Sequence, residues 1–206
     1  MRSRRELAEL VVAAWPALLK LCRLEVTYGV YLPRRRAVDG REKPVPTLGL
    51  GSRVRVCGYE YHHLYVDFDR RNVLKNILEF AGSHFADKFF VVRRTRKGYH
   101  LLVFYPFTAK EVDGYIARLK SMVDRKWLTL QRRRGFYVIR VAGKYREQDI
   151  ETVHVHVPVD PETGEVLEKR LRYGLFWFTL VELLKETKPG TLARHLGVTG
   201  PAHREG

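Results

Sequence analysis

The stretch "KFFVVRRTRKGYHLLVFY" (88–105) decides the fold. Two apolar runs rich in Phe, Val and Leu flank a basic segment that contains Gly98, and runs of this composition are typical of strands. The stretch therefore predicts two strands joined by a basic turn. Tyr99 and His100 begin the second strand, so their side chains point to opposite faces.

Strands and helices are predicted on both sides of this pair of strands. Thr108 with Glu111 three residues later is an N-terminal capping signal for one of the helices. The order of elements predicts an α+β fold, an RRM-like antiparallel or mixed sheet with helices packed on one face. The predicted strands are 53–69 (two strands or a hairpin around Gly58), 135–143 and 152–159, and the predicted helices are 2–24, 72–85 and 108–123. The segment 174–186 is predicted to be a buried helix or a strand-to-helix segment.

Composition divides the chain into three segments. Residues 1–50 are predicted to form an N-terminal helix and a basic loop packed on the core, 51–185 the central domain, and 186–206 a short helical or flexible tail. The loop, at 32–51, is predicted either to bind phosphate or to be a solvated loop. Its four arginines are Arg34, Arg35, Arg36 and Arg41.

The charge of the chain points to a polyanionic partner. Lys and Arg number 38 against 23 Asp and Glu, a formal net charge of +15, and nucleic acid is the polyanion that such an excess favours. The two cysteines, Cys22 and Cys57, lie far apart and argue against a disulfide framework, which favours a reducing, cytoplasmic location. No apolar run reaches the roughly 18–20 residues that span a bilayer, so no membrane partner is expected.

Two carboxylates stand close together in "YVDFDRRN" (65–72). Asp67 and Asp69 are two residues apart at the end of a predicted strand, so both point to one face. Like charges at this spacing either face solvent or share a cation. Hard carboxylate oxygens suit Mg²⁺ or Mn²⁺, and two such ions can act together in phosphoryl transfer.

Two further segments carry groups that can contact phosphate. In the basic turn, Gly98 allows a close approach of the backbone, and His100 can hydrogen-bond a phosphate oxygen without a fixed charge. In "MVDRKWLTLQRRRGFYVIRVAGKYR" (122–146), Asp124 is predicted to end a helix and enter a strand. The next strand carries Arg140, and Lys144 follows it.

Taken together, these segments resemble the catalytic core of the archaeo-eukaryotic primase superfamily, which includes primase small subunits and primase-polymerases. The resemblance covers about residues 60–146 and depends on the order of the motifs along the chain as well as on the motifs themselves. The matching stretches are "VDFD" (66–69), "TRKGYH" (95–100), "VDRKWLTL" (123–130) and "GFYVIRVAGKY" (135–145).

The resemblance implies a template-directed nucleotidyl transferase that uses two Mg²⁺ or Mn²⁺ ions. Asp67, Asp69 and Asp124 would hold the ions, and His100 would contact the incoming triphosphate. Single-stranded DNA template and nucleoside triphosphates would be its partners, with a helicase or a large primase subunit as a further candidate. Candidates for the phosphate oxygens, chosen by charge and position, are Arg94, Lys97, Arg140 and Lys144, and Gly98 is a further nucleotide-binding candidate.

The sequence departs from the family pattern at two places. Arg94-Thr95 stands where the second motif usually has Ser-Gly, and Ala142-Gly143-Lys144 stands where Pro-Gly-Ser usually follows. The chain is short beside cellular primase subunits and has no Cys/His zinc module. These features favour a small stand-alone primase-polymerase of a plasmid or virus, or a derivative that binds nucleic acid without activity.

Two other functions fit parts of the sequence. A non-catalytic RRM-like module would stack bases on aromatic side chains. A rolling-circle replication nuclease would bind a metal through His154 and His156 of "TVHVHVPV" (152–159) and use Tyr173 as its nucleophile. The aromatic candidates for stacking are Tyr65, Phe68, Tyr99, Phe136 and Tyr137.

Overall fold

The computed structural model describes residues 4–31, 34–36, 42–44, 47–143 and 150–186. Within these ranges the chain forms six α-helices, a seven-stranded sheet and a separate two-stranded ribbon. The helices are α1 (Arg4–Ala13), α2 (Trp15–Leu21), α3 (Leu74–Phe85), α4 (Ala109–Leu119), α5 (Arg125–Arg134) and α6 (Glu168–Glu186). The strands are β1 (Leu24–Tyr31), β2 (Arg34–Arg36), β3 (Glu42–Pro44), β4 (Thr47–Val56), β5 (Tyr59–Phe68), β6 (Phe89–Thr95), β7 (Tyr99–Phe107), β8 (Val138–Gly143) and β9 (Ile150–His156).

The predicted α+β class is confirmed. The main sheet runs in the order β1-β4-β5-β7-β6-β9, and β8 pairs with β4 outside this path. All of these pairings are antiparallel. The two strands predicted from 88–105 are β6 and β7, and they lie in the middle of this order.

Strand β4 pairs with β1 along one edge and changes its partner halfway along the other edge. Because of this change, part of β5 has no strand pairing on the side of β4 within the described residues. Residues 53–56 pair with β5, whereas 47–51 pair with β8. At the change, the Ser52 N–H donates to the Tyr137 carbonyl oxygen at 2.6 Å, and the Ser52 hydroxyl accepts from the Tyr137 N–H at 3.1 Å. Among the described strands, the second half of β5 therefore pairs only with β7, and its other edge can contact loops.

Helices cover both faces of the sheet. Helices α1 and α6 pack on one face, where the Trp177 ring of α6 lies 4.6 Å from the His63 ring of β5. Helices α3 and α4 pack on the other face, where Tyr115 of α4 lies 5.5 Å from Phe107. The prediction that helices pack on one face was wrong, because an apolar stripe shows that a helix is buried without showing which sheet face it covers.

Local signals in the sequence gave two correct predictions and one error. The hairpin around Gly58 forms, with Cys57 and Gly58 both at positive φ (50° and 76°), as tight hairpin turns require. Thr108 and Glu111 form the predicted capping box at the start of α4. The segment 32–51 was predicted as a loop, but it contains β2, β3 and the start of β4.

The two cysteines form a disulfide. Cys22 ends α2 and Cys57 lies in the β4–β5 turn, with their Cα atoms 5.2 Å apart. The sequence argued against disulfides because these residues are distant along the chain. Intracellular disulfides are unusual outside hyperthermophiles, so this bond sits oddly with the predicted reducing location.

Some predictions fall outside the described residues. Arg41, Lys144 and the tail from 187 onwards belong to this group. Within the described part of the chain, no helix combines the length and the apolar character needed to cross a membrane.

Candidate functional site at the ends of β5 and β7

The β6–β7 hairpin sets the register of the site. Its turn is closed by a hydrogen bond of 2.8 Å from the Thr95 N–H to the Gly98 carbonyl oxygen. In this register His100 is paired with Arg93 of β6 on one side and with Asp67 of β5 on the other. Directly paired residues of neighbouring strands point to the same face. The three side chains therefore lie together on the face that α6 covers.

Gly98 brings the turn against the end of β5. A Cβ atom at this position would lie 1.8 Å from the Phe68 carbonyl oxygen and 2.7 Å from the Arg70 nitrogen. Both distances are far below van der Waals contact. Gly98 was predicted to allow a close approach of the backbone to a phosphate, whereas in the structure the neighbouring group is the protein's own backbone.

His100 is buried beside Asp67, and its burial favours the neutral ring. Its Nε2 atom lies 3.6 Å from Oδ1 of Asp67, and its buried Nδ1 atom has no hydrogen-bond partner among the described residues. Burial lowers the pKa of His100 well below its ordinary value, and the charges of Arg140 and Arg93 lower it further. At pH 7 the ring can therefore donate one hydrogen bond without carrying a charge.

Arg93 is the site residue that the sequence analysis missed. Its side chain is fully buried, and its Nη2 atom lies 3.5 Å from Oε1 of Glu182 in α6. Burial lowers the pKa of Arg93, Glu182 opposes that effect, and Arg140 adds to it. A signal was present in the sequence, because a two-residue turn at Arg96-Lys97 pairs position 93 with position 100.

The polar groups around Arg93 are incompletely satisfied. All three guanidinium nitrogens of Arg93, the Thr152 hydroxyl and Oε1 of Glu182 are buried without a hydrogen-bond partner in the described part of the chain. Such groups are rare in folded proteins and are expensive to leave unpaired. We call this cluster, formed by Arg93, His100, Thr152 and Glu182, the buried polar cluster. It can supply several donors to an anion.

Asp69 lies just beyond the end of β5, next to the basic turn. Its Oδ2 atom is 3.6 Å from Nζ of Lys97, and both side chains are well exposed. Lys97 was predicted to contact phosphate, and the structure places it beside the carboxylates. An exposed pair of this kind adds little stability, so the ammonium group can move to a ligand at low energetic cost.

Asp124 lies beside Asp67 but has a structural task. Its backbone N–H donates to the Asp67 carbonyl oxygen at 3.0 Å, along the open edge of β5. Asp124 is the N-cap of α5, and its Oδ1 atom accepts from the N–H groups of Lys126 (2.8 Å) and Trp127 (3.3 Å). The prediction that Asp124 enters a strand was wrong, because its side chain starts a helix instead.

Arg140 lies near His100 and Arg93, whereas Arg94 lies on the opposite face of the hairpin. Arg140 lies on β8, close enough for its charge to lower the pKa values of His100 and Arg93. Arg94 is paired with Tyr99, not with His100, and so lies on the opposite face of the hairpin, in an ion pair with Glu151. The assignment of Arg94 to the same triphosphate as His100 is therefore corrected, because neighbouring residues of a strand point to opposite faces.

The carboxylates fit a divalent ion only in part. Among the described residues, no group of three or more His, Cys, Asp or Glu side chains is arranged to hold a metal. Asp67 keeps 28% of its side chain exposed and Asp69 keeps 40%, so both are accessible from solvent. Mg²⁺ is usually held by one or two carboxylates together with water and substrate phosphates. Asp67 and Asp69 meet that lesser requirement.

Four of the eight residues named for the two other functions lie in the core. Tyr173 is fully buried, and its hydroxyl lies 2.9 Å from Nε2 of His63, so it is not placed to attack a DNA strand. His154 and His156 do share one face of β9, where their rings stack. Of the aromatic residues considered for base stacking, Tyr65, Phe68 and Tyr137 are buried, and Tyr99 and Phe136 are half-buried.

Comparisons with known proteins do not identify a family for this chain. No protein-family model matches it, and no curated protein or solved structure is significantly similar to it. A functional conclusion therefore depends on the geometry and chemistry of the site.

Proposed function

We propose that this protein is a template-directed nucleotidyl transferase of the primase-polymerase type, acting on single-stranded DNA with nucleoside triphosphates. The observation that carries the proposal is the pairing of Asp67 with His100 across neighbouring strands, next to the buried and unsatisfied guanidinium of Arg93. The residues of three of the sequence motifs thus lie together at one end of the sheet, which supports the proposal.

The residues of the site divide into two sets. Asp67 and Asp69 face solvent and would hold Mg²⁺ or Mn²⁺, with Asp124 beside them. His100, Arg93 and Arg140 carry donors and positive charge for a triphosphate. Bound at the carboxylates, a divalent ion would help to deprotonate a primer 3′-hydroxyl and would neutralise the leaving pyrophosphate.

The buried polar cluster suits a triphosphate for an electrostatic reason. Arg93 is desolvated and has no hydrogen-bond partner among the described residues, so a phosphate oxygen that reached it would gain a strong charge-assisted bond. His100 is neutral and would add a donor without adding to the repulsion between Arg93 and Arg140. Donors held rigidly in a buried site stabilise developing negative charge more than donors in water do.

Primer extension tests the proposal. The wild type should add nucleotides to a primed single-stranded template with Mg²⁺ or Mn²⁺, in the order that the template dictates. Asp67→Asn combined with Asp69→Asn should abolish extension, and His100→Ala should slow it by about 100-fold, the usual effect of losing one such donor. A wild type that never extends a primer with either metal would overturn the proposal.

Asp124 needs a variant that keeps the helix cap. Asparagine caps a helix as well as aspartate does, so Asp124→Asn should leave the melting temperature nearly unchanged while reducing extension. Asp160→Asn is the matched control, because Asp160 also accepts two backbone hydrogen bonds, from Glu162 and Thr163, in the loop before α6. Equal extension by both variants would remove Asp124 from the site.

Metal binding should depend on the nucleotide. Because Asp67 and Asp69 offer few carboxylate ligands, Mn²⁺ alone should bind weakly and a triphosphate should tighten its binding. Water-proton relaxation measures protein-bound Mn²⁺, with the Asp67→Asn, Asp69→Asn double variant as the background. Failure of the triphosphate to increase protein-bound Mn²⁺ would contradict this arrangement.

The second candidate is a non-catalytic nucleic-acid-binding protein. The absence of a convergent group of three metal ligands among the described residues favours it. It predicts that the wild type binds single-stranded DNA but does not extend a primer, and that Asp67→Asn leaves binding unchanged. Running the extension and binding assays on the same preparation separates the two functions.

A further inference from the structure

A basic cleft lies on the face of the β6–β7 hairpin opposite His100. Its volume is about 430 Å³, within the usual range of ligand sites. Arg94 and Tyr99 line it, whereas their neighbours Arg93 and His100 point to the other face. We call it the arginine cleft. Its lining residues are Arg71, Arg94, Thr95, Arg96, Gly98, Tyr99 and Glu151.

The arginine cleft has an excess of positive charge. Three arginines face one glutamate, and that glutamate, Glu151, pairs with Arg94. Arg71 donates from Nη2 to the Arg96 carbonyl oxygen at 2.9 Å, which ties the start of the α3 segment to the turn. The arginine side chains are exposed and Tyr99 is half-buried. An anion in the cleft would therefore keep one side in water.

The turn connects the cleft with the carboxylates. Lys97, at the tip of the turn, points toward Asp69, while Arg94 and Arg96 line the cleft on the other face. Positively charged side chains thus lie on both faces of the hairpin and at its end. A chain of phosphates could follow this path, whereas a single nucleotide would occupy only one side of it.

We infer that the arginine cleft binds the phosphodiester backbone of a single nucleic-acid strand that passes the carboxylate site. Arginine is suited to this task, because its planar fork matches phosphate oxygens and remains charged. The half-exposed ring of Tyr99 offers a surface for one base. This inference rests on the proposed function, since it places the strand relative to the predicted active site.

Oligonucleotide binding without metal or nucleotide tests the inference. Fluorescence anisotropy with a labelled single-stranded DNA, repeated over several salt concentrations, gives both affinity and salt slope. Arg71→Gln combined with Arg94→Gln should weaken binding by about tenfold or more and lower the slope of log affinity against log salt by about one to two. Glu151→Gln should strengthen binding, because it frees Arg94 and removes a repulsive charge.

Matched controls come from α6. Arg172 is an exposed arginine paired with Glu168 at 3.9 Å, so Arg172→Gln and Glu168→Gln make the same charge changes on another surface. Neither should change affinity by more than about twofold. Equal losses for Arg172→Gln and Arg94→Gln would overturn the inference, because binding would then follow net charge alone.

Two further measurements distinguish a strand-binding cleft from a mononucleotide site and from a failure of the proposed function. A nucleoside triphosphate without metal should compete poorly with the oligonucleotide; strong competition that depends on Arg94 would show a mononucleotide site instead and overturn the inference. Asp67→Asn should abolish extension without weakening oligonucleotide binding. If cleft variants lose binding while the wild type never extends a primer, the cleft stands and the proposed function fails. If the wild type extends a primer and the cleft variants bind the oligonucleotide normally, the proposed function stands and the inference about the cleft fails.

Discussion

Arg93 and Arg94 are neighbours in the chain but lie in opposite environments. Arg93 is fully buried under α6, whereas Arg94 is exposed in the arginine cleft. A buried charge with poor hydrogen bonding usually costs stability, even when it has an ion-pair partner. Local violations of this kind are expected at functional sites. Arg93 therefore has the energetic character of a binding residue.

Replacing Arg93 separates its binding role from a structural one. In Arg93→Met the free energy of unfolding should fall by less than about 3 kcal/mol, the loss expected when one partner of a fully buried ion pair is removed, because Glu182 is only partly buried. Glu182 would keep Lys185 as a partner at 3.6 Å. Binding of a labelled triphosphate should fall at least tenfold. Urea denaturation and fluorescence titration measure the two effects, and a stability loss above about 3 kcal/mol would indicate a structural ion pair.

Gly98 is required by packing. In Gly98→Ala the new methyl group would overlap the Phe68 carbonyl oxygen, which lies only 1.8 Å from the Cβ position. The turn must then move away from β5, so we expect a loss of at least 2 kcal/mol, about the size of a severe local strain, together with a loss of primer extension. Thermal denaturation and the extension assay check this. The matched control is Gly114→Ala, on α4, where nothing lies within 4 Å of the Cβ position.

At the scale of elements, the sequence showed which segments form the central strands but neither all of the strands nor all of their partners. The hairpin at 88–105, the turn at Gly58 and the capping box at Thr108 depend on neighbouring residues and were predictable. The change of partner at Ser52 depends on contact with Tyr137, 85 residues away. Asp124 was missed as a cap because basic residues follow it, not the glutamate of a capping box.

The disulfide links two elements that already touch. Strand β1 follows Cys22 and pairs with β4, which ends just before Cys57. The bond closes a loop with a sequence separation of 35 residues, and chain-entropy arguments give about 3–4 kcal/mol for a loop of that length. Replacing both cysteines by serine should lower the free energy of unfolding by up to that amount. Urea denaturation with and without reductant checks it, and the double variant itself should not respond to reductant.

At the scale of the whole molecule, buried histidines should make the fold sensitive to acid. Burial lowers the pKa of His63 to about 3 and that of His100 well below its ordinary value; the pKa values of His62 and His154 are lowered as well. Below about pH 6.5 the unfolded chain binds more protons than the folded chain at these positions. The stability that these groups contribute is therefore fully present above that pH and is lost as the pH falls, by up to about 1.4 kcal/mol per pH unit for each of the fully buried His63 and His100.

The slope of stability against pH can be assigned to His100 by substitution. His100→Asn should reduce the slope between about pH 5 and 6 by the share of one histidine, about 1.4 kcal/mol per pH unit. Asp87→Asn is the control, because ion pairs with Lys88 and Arg170 lower the pKa of Asp87, and its contribution is lost only at more acidic pH. Urea denaturation across the pH range measures both slopes. If His100→Asn and the wild type have the same slope, His100 is protonated in the folded state, and it would meet a triphosphate as a cation and not as a neutral donor.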